Sequence, residues 1–191
     1  MEQLTREYIN QVMYYVRDDM MRIMVRAMKY LPYGIIAVLL VMLIFRSKRA
    51  TSIFLFLVYM AIVGCITLLS REPGSREEID FALFSTLGVW DRADAFVVEN
   101  ILLFIPIGVL LPMSWKRCQN VVLCLIAGGF ISILIEGSQY ITKRGFVQLD
   151  DIVTNVMGTF IGFLLFMIVK WVYIIIYQLV YLIKKIFINS K

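Results

Sequence analysis

The stretch DIVTNVMGTFIGFLLFMIVK, residues 151–170, holds an apolar run long enough to cross a lipid bilayer as one helix. Asp151, Asn155, Gly158 and Gly162 follow one another at spacings of four, three and four, which places them on one helix face. Glycines on such a face let another helix approach closely. An amide pressed against that neighbour needs a hydrogen-bond partner. The stretch therefore predicts a membrane-spanning helix with one face packed against the rest of the protein.

The whole chain has the composition of an integral membrane protein. Of its 191 residues, 61% are hydrophobic, and the mean hydropathy of +0.82 is far above that of a soluble domain. The net charge of +5 sits in short basic clusters beside apolar runs, as expected for cytoplasmic loops that meet anionic lipid heads. There is no basic stripe of the kind that binds nucleic acid. We therefore expect membrane lipids as partners and no nucleic acid; the oligomeric state is left open.

The composition also restricts the chemistry. Histidine is absent, so the commonest general base and the commonest zinc ligand are both missing. Cys65, Cys118 and Cys124 are scattered among apolar residues without metal-site spacing, and we interpret them as small apolar filler. We expect no metal site and no cofactor. The N-terminal stretch is charged and Met-rich, unlike a cleavable signal peptide.

These patterns predict an all-α fold, a polytopic membrane helix bundle of about five spans with an N-terminal amphipathic helix. The predicted spans are residues 31–45, 51–70, 97–113, 121–140 and 151–170. In the third, Pro106 removes a helix hydrogen bond and kinks the chain, and Gly108 gives room for the bend or for a close neighbour. We divide the chain into an N-terminal part, a core and a tail, at residues 1–50, 51–170 and 171–191.

Three segments outside these spans carry open alternatives. Residues 8–30 place Asp18, Arg22, Arg26 and Lys29 on one face, so this helix either lies in the membrane interface or caps the bundle. In the polar connection 71–95, the part FALFSTLGVW, which includes Trp90, is apolar enough to pack on the bundle or dip into the interface. The tail either extends the fifth helix or turns along the membrane.

Charge sets the expected orientation. Alternating spans bring seven basic residues to one side, which the positive-inside rule makes cytoplasmic. These residues are Arg46, Lys48, Arg49, Lys116, Arg117, Lys184 and Lys185. The N-terminal basic residues then fall outside with five spans. Either that helix is an external cap, or residues 31–45 do not cross.

Polar residues interrupt the apolar runs at one predicted membrane face. They are Asn100, Glu136, Gln139, Arg144, Asp151 and Asn155, and the alternating topology brings all six to the extracytoplasmic side. Ser132 lies one turn before Glu136. We expect Glu136 and Asp151 to meet across neighbouring helices, with Arg144 as their counter-charge. The alternative is structural: polar residues that only lock helices together, and Asp150 and Asp151 that only cap a helix start.

Two blocks of this sequence resemble the VanZ-like family of membrane proteins. Residues 100–112 have the sequence NILLFIPIGVLLP, and residues 132–162 follow S-x3-E-x2-Q-x4-R and then D-D-x3-N-x2-G-x3-G. The resemblance covers the second span through the fifth. The family's characteristic positions correspond here to Asn100, Pro106, Gly108, Glu136, Gln139, Arg144, Asp151, Asn155 and Gly158. Residues 1–50 then look like an addition to the family's core.

The resemblance implies a protein of the bacterial cell envelope. Founding members are associated with resistance to teicoplanin-type glycopeptide antibiotics at the surface of Gram-positive bacteria. Many relatives have no such role assigned, and the resemblance implies no established enzymatic activity.

Three functions fit the polar residues. The first is binding of a surface amphiphile, such as a lipoglycopeptide or a polyprenyl-linked wall precursor. Arg144 would contact its phosphate or carboxylate, and Glu136 and Asp151 would accept from its hydroxyls or amines. The second is an intramembrane enzyme on a lipid-linked phosphate or ester, in which Glu136 and Asp151 act as acid and base or hold a cation. For this second function the sequence offers no recognisable nucleophile. The third is a small transporter or scaffold, without the inverted repeats of known carriers.

Overall fold

The protein is a bundle of long helices. The computed structural model describes residues 2–28, 36–37, 39–40, 47–69, 79–80, 92–144 and 147–189. Within these residues the long helices are α1 (Glu2–Met28), α2 (Lys48–Gly64), α3 (Arg92–Ser114), α4 (Val121–Thr142) and α5 (Leu149–Asn189). A π-helical turn, Cys65–Leu69, prolongs α2, and a 3-10 turn, Lys116–Gln119, joins α3 to α4. These elements confirm the predicted all-α membrane bundle.

Four of the described helices are long and apolar enough to cross a membrane. They cover Lys48–Leu68, Ala95–Ser114, Val121–Thr142 and Leu149–Lys185. They correspond to the predicted second to fifth spans. Most of the predicted first span, residues 31–45, lies outside the described residues, and so does the FALFSTLGVW segment. The tail extends the fifth helix, because α5 runs without interruption for 41 residues.

Two short polar segments pair where the sequence predicted only loops. β1 (Ile79–Asp80) and β2 (Val147–Gln148) form a two-residue parallel ladder in which Ile79 faces Val147 and Asp80 faces Gln148. The ladder ties the connection before α3 to the residues that enter α5. Pairs this short leave little sequence signal, because strand periodicity needs several residues.

The helix boundaries follow from local capping. Ser47 accepts a hydrogen bond from the amide of Ala50 at the start of α2. Asn120 accepts from the amides of Val122 and Leu123 at the start of α4, at 2.9 and 3.2 Å. Short polar side chains of this kind satisfy amides that have no partner within the helix.

The closest packing in the bundle joins α3 to α5 through three glycines, Gly108, Gly158 and Gly162. A Cβ on Gly158 would overlap the Ile101 carbonyl, and one on Gly162 would overlap the Ile105 carbonyl. Both partners advance by four residues, so the two helices run parallel. The face predicted from the sequence therefore does pack closely. Its nearest neighbour is α3, with Gly108 directly against Thr159 and Gly162. We call the three glycines Gly108, Gly158 and Gly162 the glycine contact.

Helix α3 continues through both of its prolines, Pro106 and Pro112. Pro106 has no amide hydrogen, which disturbs the hydrogen bonds of the preceding turn. In that turn the carbonyl of Leu103 accepts from the Tyr59 hydroxyl of α2 at 2.7 Å. Pro106 removes the helical donor of the Leu102 carbonyl, four residues earlier, whereas the Tyr59 hydroxyl serves the next carbonyl and ties α2 to α3.

One end of the bundle, here called the basic end, is held by side chains that cap α3. Arg49 donates to the Ser114 carbonyl at 3.2 Å, Ser52 to the Met113 carbonyl at 3.1 Å and Gln119 to the Pro112 carbonyl at 3.4 Å. The last carbonyls of a helix lack partners within it. Each of these polar side chains therefore has a structural role. The opposite end is here called the polar end.

Candidate functional site: a buried polar cluster

The polar cluster begins on one face of α4. Ser132, Glu136 and Gln139 are only 0%, 4% and 2% exposed, although Ile133 and Leu134 beside them are each 54% exposed. The spacing of four and three residues keeps all three polar side chains on the inward face of the helix. Burying a carboxyl group and an amide within a membrane bundle is costly. The contacts that offset this cost lie near the polar end of the bundle.

Helix α5 meets this face through an amide. Asn155 is 3% exposed, and its Nδ2 donates to Ser132 Oγ at 2.9 Å. The opposite side of that amide is also enclosed: Asn155 Oδ1 is buried and accepts no hydrogen bond from the described residues. The sequence predicted that Asn155 is pressed against a neighbour; the structure identifies Ser132 as its partner.

Thr159 fills the space next to Asn155, one turn further along α5. It is fully buried, and its hydroxyl donates to the Asn155 carbonyl at 3.0 Å. Gly128 of α4 faces the Thr159 side chain so closely that a Cβ on Gly128 would overlap it. Thr159 therefore contacts both regions, through its side chain on the α4 side and through its carbonyl beside Gly108 of α3. It was not singled out in the sequence, because a threonine in an apolar helix has no distinctive pattern.

The cluster also includes the end of α2. Gln139 Nε2 donates to the Thr67 carbonyl at 3.4 Å, and Arg144 Nη1 donates to the Leu68 carbonyl at 2.9 Å. The contact that the structure shows for Arg144 thus differs from the counter-charge expected for Glu136 and Asp151. Thr67 and Leu68 escaped the sequence analysis because they contribute backbone carbonyls, which carry no side-chain signal.

The end of α4 aims Arg144 at α2. Lys143 takes the left-handed conformation with φ of 53°. Its amide donates to the Tyr140 carbonyl at 3.2 Å, and the Arg144 amide donates to the Gln139 carbonyl at 3.0 Å. This pair of bonds is a Schellman motif, which usually places glycine at the left-handed position. The chain reverses sharply here and brings the Arg144 side chain back over the polar end.

Two acidic residues open α5 at the same end. Asp150 is 5% exposed and Asp151 is half-buried, so the neighbour of the predicted residue is the more deeply enclosed. Carboxylates in the first turn of a helix favour its positive end. The structural interpretation, helix capping, applies equally to both. Because Asp150 is buried at the same end of the bundle as Asp151, we add it to the candidate residues.

Asn100 and Glu99 lie half-buried near the start of α3. The structure shows no hydrogen bond between Asn100 and the described cluster residues, so it is not joined to them directly. Helix α1 packs against α3, the helix that carries Glu99. Arg22 of α1 has a raised pKa, mainly because Asp19 accepts its hydrogen bond, with Asp18 and then Glu99 adding smaller attractions.

This proximity bears on the N-terminal helix. Arg22 also pairs with Asp18 at 2.7 Å, which confirms that these two residues share a face. Val16 is buried, whereas the apolar side chains of Ile9 and Met13 on the same helix are exposed. Contact with α3 near Glu99 places α1 close to the polar end, the position that the cap interpretation requires.

The polar cluster thus comprises seven side chains with two chemical capacities. They are Ser132, Glu136, Gln139, Arg144, Asp150, Asp151 and Asn155. Carboxylates and amide oxygens accept from hydroxyl or ammonium groups, and the guanidinium of Arg144 donates to phosphate or carboxylate. Among the described residues, no three Cys, Asp or Glu side chains converge as ligands of a metal ion. The arrangement is suited to holding a polar head group.

Comparison with known proteins gives a family match. The model of the family described as VanZ/LLP1 matches residues 33–170. The match ends where we end the core, but it extends further towards the N-terminus than the resemblance predicted and includes most of the predicted first span. No curated protein and no solved structure matches the chain.

Proposed function

Because the chain belongs to the VanZ/LLP1 family, we propose that its polar cluster binds the head group of a cell-surface amphiphile. The ligand class is a lipid-tailed molecule with hydroxyl, amine and phosphate or carboxylate groups. A teicoplanin-type lipoglycopeptide and a polyprenyl-linked wall precursor both have that chemistry. The polar end faces the extracytoplasmic side in this proposal, because the positive-inside rule assigns the basic end to the cytoplasm. The protein would thereby modulate glycopeptide resistance of the VanZ type.

One observation carries the proposal: Glu136 is buried on a lipid-exposed helix, within one turn of Ser132 and Gln139. Helix packing alone does not require a carboxyl group there, because the same bundle achieves its closest contact with glycines. A buried carboxyl group costs several kcal/mol unless a partner compensates for it. A carboxylate accepts several hydrogen bonds, so a ligand ammonium or hydroxyl group can donate to Glu136 beside the contact that Glu136 makes within the bundle.

The test is a binding titration of the full chain in detergent. The probes are a fluorescent teicoplanin-type lipoglycopeptide and a polyprenyl phosphate, titrated into wild type, Glu136→Gln and Ser138→Ala. Ser138 is the matched control, because it lies on α4 beside the cluster and its hydroxyl donates to the Leu134 carbonyl of its own helix. Thermal unfolding of each variant shows whether it is folded.

We expect saturable binding of at least one probe to wild type and to Ser138→Ala. Glu136→Gln should weaken it roughly tenfold or more, as for loss of one hydrogen bond to a charged group. Binding by none of the folded proteins, or equal binding by all three, would overturn the proposal and leave the cluster as helix glue. Mass spectrometry of the incubated polyprenyl phosphate tests for its conversion to a product. If it is converted, the protein is an enzyme on this lipid and not only a binding protein.

A further inference from the structure

The deepest part of the polar cluster is the hydrogen-bonded pair of Ser132 and Asn155. Ser132 lies seven residues before Gln139 on α4, which places it about 10 Å further into the bundle at 1.5 Å per residue. On the far side of the pair, a Cβ on Gly128 would overlap the Thr159 side chain, so α4 and α5 are in close contact there. A group that enters the cluster from the polar end therefore reaches this pair last.

The amide of Asn155 presents a hydrogen-bond acceptor that the bundle does not use. Its Nδ2 donates to Ser132 Oγ at 2.9 Å, which fixes the amide and directs Oδ1 to its other side. The residue is 3% exposed, and Oδ1 is buried and accepts no hydrogen bond from the described residues. Buried polar atoms are as a rule paired, either within the protein or with a bound molecule. This oxygen therefore indicates a position at which a donor binds.

Ser132 supplies a donor beside that acceptor. Among the described residues, the bond that it accepts from Asn155 is the one hydrogen bond of its side chain. Serine hydroxyls within helices often donate to the carbonyl four residues earlier, as Ser138 does to Leu134 on the same helix. The hydroxyl hydrogen of Ser132 makes no such bond and is available to a further acceptor. The pair thus offers one acceptor and one donor, both buried.

These two offers together select the chemistry of the group that binds. An ammonium group has donors and no acceptor, and an ionised carboxylate or phosphate oxygen accepts and does not donate. A hydroxyl group does both, because its hydrogen can go to Asn155 Oδ1 while its oxygen accepts from Ser132. Since Oδ1 is enclosed, the incoming group also has to be small. A ligand hydroxyl and a water molecule share this chemistry.

We propose that Ser132 and Asn155 form a hydroxyl subsite, at which the head group of the bound amphiphile places one hydroxyl group. The inference rests on the function proposed for the polar cluster and adds a specificity to it. The cluster then selects a head group that ends in a hydroxyl, such as a sugar or a glycerol, over one that ends in an ammonium or a methyl group.

Native mass spectrometry of the full chain, in a detergent without hydroxyl groups such as dodecyldimethylamine oxide, tests the proposal. The probes are the phosphatidylglycerol, phosphatidylpropanol and phosphatidylethanolamine that carry two lauroyl chains. They share their chains and phosphate, and their head groups end in hydroxyls, a methyl group and an ammonium group. A site that hydrogen-bonds a hydroxyl rejects the analogue without it, because its buried polar groups are left unpaired. Wild type should therefore bind the glycerol lipid roughly tenfold more tightly than the other two.

Two variants connect this preference to the pair. Asn155→Leu removes the acceptor and Ser132→Ala removes the donor, so each should reduce the preference for the glycerol lipid to less than about threefold. Thr159→Val is the matched control and should keep the preference, because the Thr159 hydroxyl is already used as a donor to the Asn155 carbonyl. Thermal unfolding in the same detergent shows which variants are folded, and either of the two suffices.

The outcomes separate the subsite from the function proposed for the cluster. Equal affinity of wild type for the glycerol and propanol lipids would overturn the subsite and assign its position to water. If that affinity still falls in Glu136→Gln, the cluster binds a head group without the subsite. A preference that persists in the folded Asn155→Leu or Ser132→Ala would also overturn the subsite. So would the binding of none of the three lipids, and the lipoglycopeptide and polyprenyl phosphate titration then decides the function of the cluster on its own.

Discussion

The glycine contact and the polar cluster occupy neighbouring turns of α5, yet they are built from opposite kinds of residue. Gly158 and Gly162 bring two backbones together with no side chain between them. One turn earlier, Asn155 joins α5 to α4 instead, through a hydrogen bond to Ser132 between two buried polar side chains. Within lipid, helices associate largely through van der Waals packing, which small residues at the interface favour. The difference separates the contact that holds the helices together from the residues that we propose bind a ligand.

The glycine contact should be the more fragile region. In Gly162→Ala, the new methyl group would lie 2.9 Å from the Gly108 Cα and would overlap the Ile105 carbonyl. Backbone atoms cannot move aside as a flexible side chain can, so α3 and α5 must separate. We expect the free energy of unfolding to fall by about 3 kcal/mol or more, as in severe overpacking. Chemical unfolding in detergent measures this change.

Gly137→Ala is the matched control for that substitution. It lies beside Glu136 in α4, and a Cβ there would meet no described atom within 4 Å. Alanine in the interior of a helix should then raise stability by about 0.5–1 kcal/mol, because glycine has the greater conformational freedom to lose. Similar effects of the two substitutions would show that close approach of α3 and α5 does not hold the bundle.

The four described spans and the glycine face could be predicted from the sequence for physical reasons. Bilayer thickness sets the length of an apolar helix that crosses it, so each of these four predicted spans lies almost wholly within its helix, although the fifth helix continues well beyond residue 170. Helical periodicity then assigns Asn155, Gly158 and Gly162 to one face. The burial of Glu136 and Gln139 follows similarly, because polar residues in an apolar helix face inward.

The neighbours of those faces could not be predicted. Periodicity identifies a face but not the helix opposite, so the sequence did not show which helix the glycines of α5 approach. The carbonyl partners of Gln139 and Arg144 come from α2, more than 70 positions earlier in the chain. The roles of the cluster residues in binding stay a prediction, because geometry alone does not identify a ligand.

The polar cluster should tolerate changes better, and a double-mutant cycle makes this comparison quantitative. Asn155→Ala and Ser132→Ala each remove one side of the buried hydrogen bond, so each should lower the free energy of unfolding by about 1–3 kcal/mol. The coupling between them should be about 0.6 kcal/mol, with 1.7 as an upper bound, as for other hydrogen bonds within membranes. The four proteins are compared by the same chemical unfolding.

The cycle has its own internal control in Thr159→Val, which removes a neighbouring hydroxyl and keeps the shape of the side chain. Thr159 donates to a backbone carbonyl and not to Ser132. The coupling between Thr159→Val and Ser132→Ala should therefore be smaller than that between Asn155→Ala and Ser132→Ala, because no hydrogen bond joins Thr159 to Ser132 directly. A coupling near zero between Ser132 and Asn155 would show that their hydrogen bond contributes nothing to holding the two helices together.

The smallest expected effect on stability gives the sharpest test of the comparison, because the chain offers two arginines with the same structural task. Arg144 donates to the last turn of α2 at the polar end, and Arg49 donates to the end of α3 at the basic end. Replacing either by glutamine removes one hydrogen bond to a helix end, so each should cost roughly 0.5–1.5 kcal/mol. Only Arg144→Gln should also weaken binding of the lipoglycopeptide or polyprenyl phosphate, because only Arg144 can reach a head group in the polar cluster. If both variants bind like wild type, Arg144 is a helix cap like Arg49, and the anion-binding part of the proposed site is wrong although the acceptor part around Glu136 can still stand.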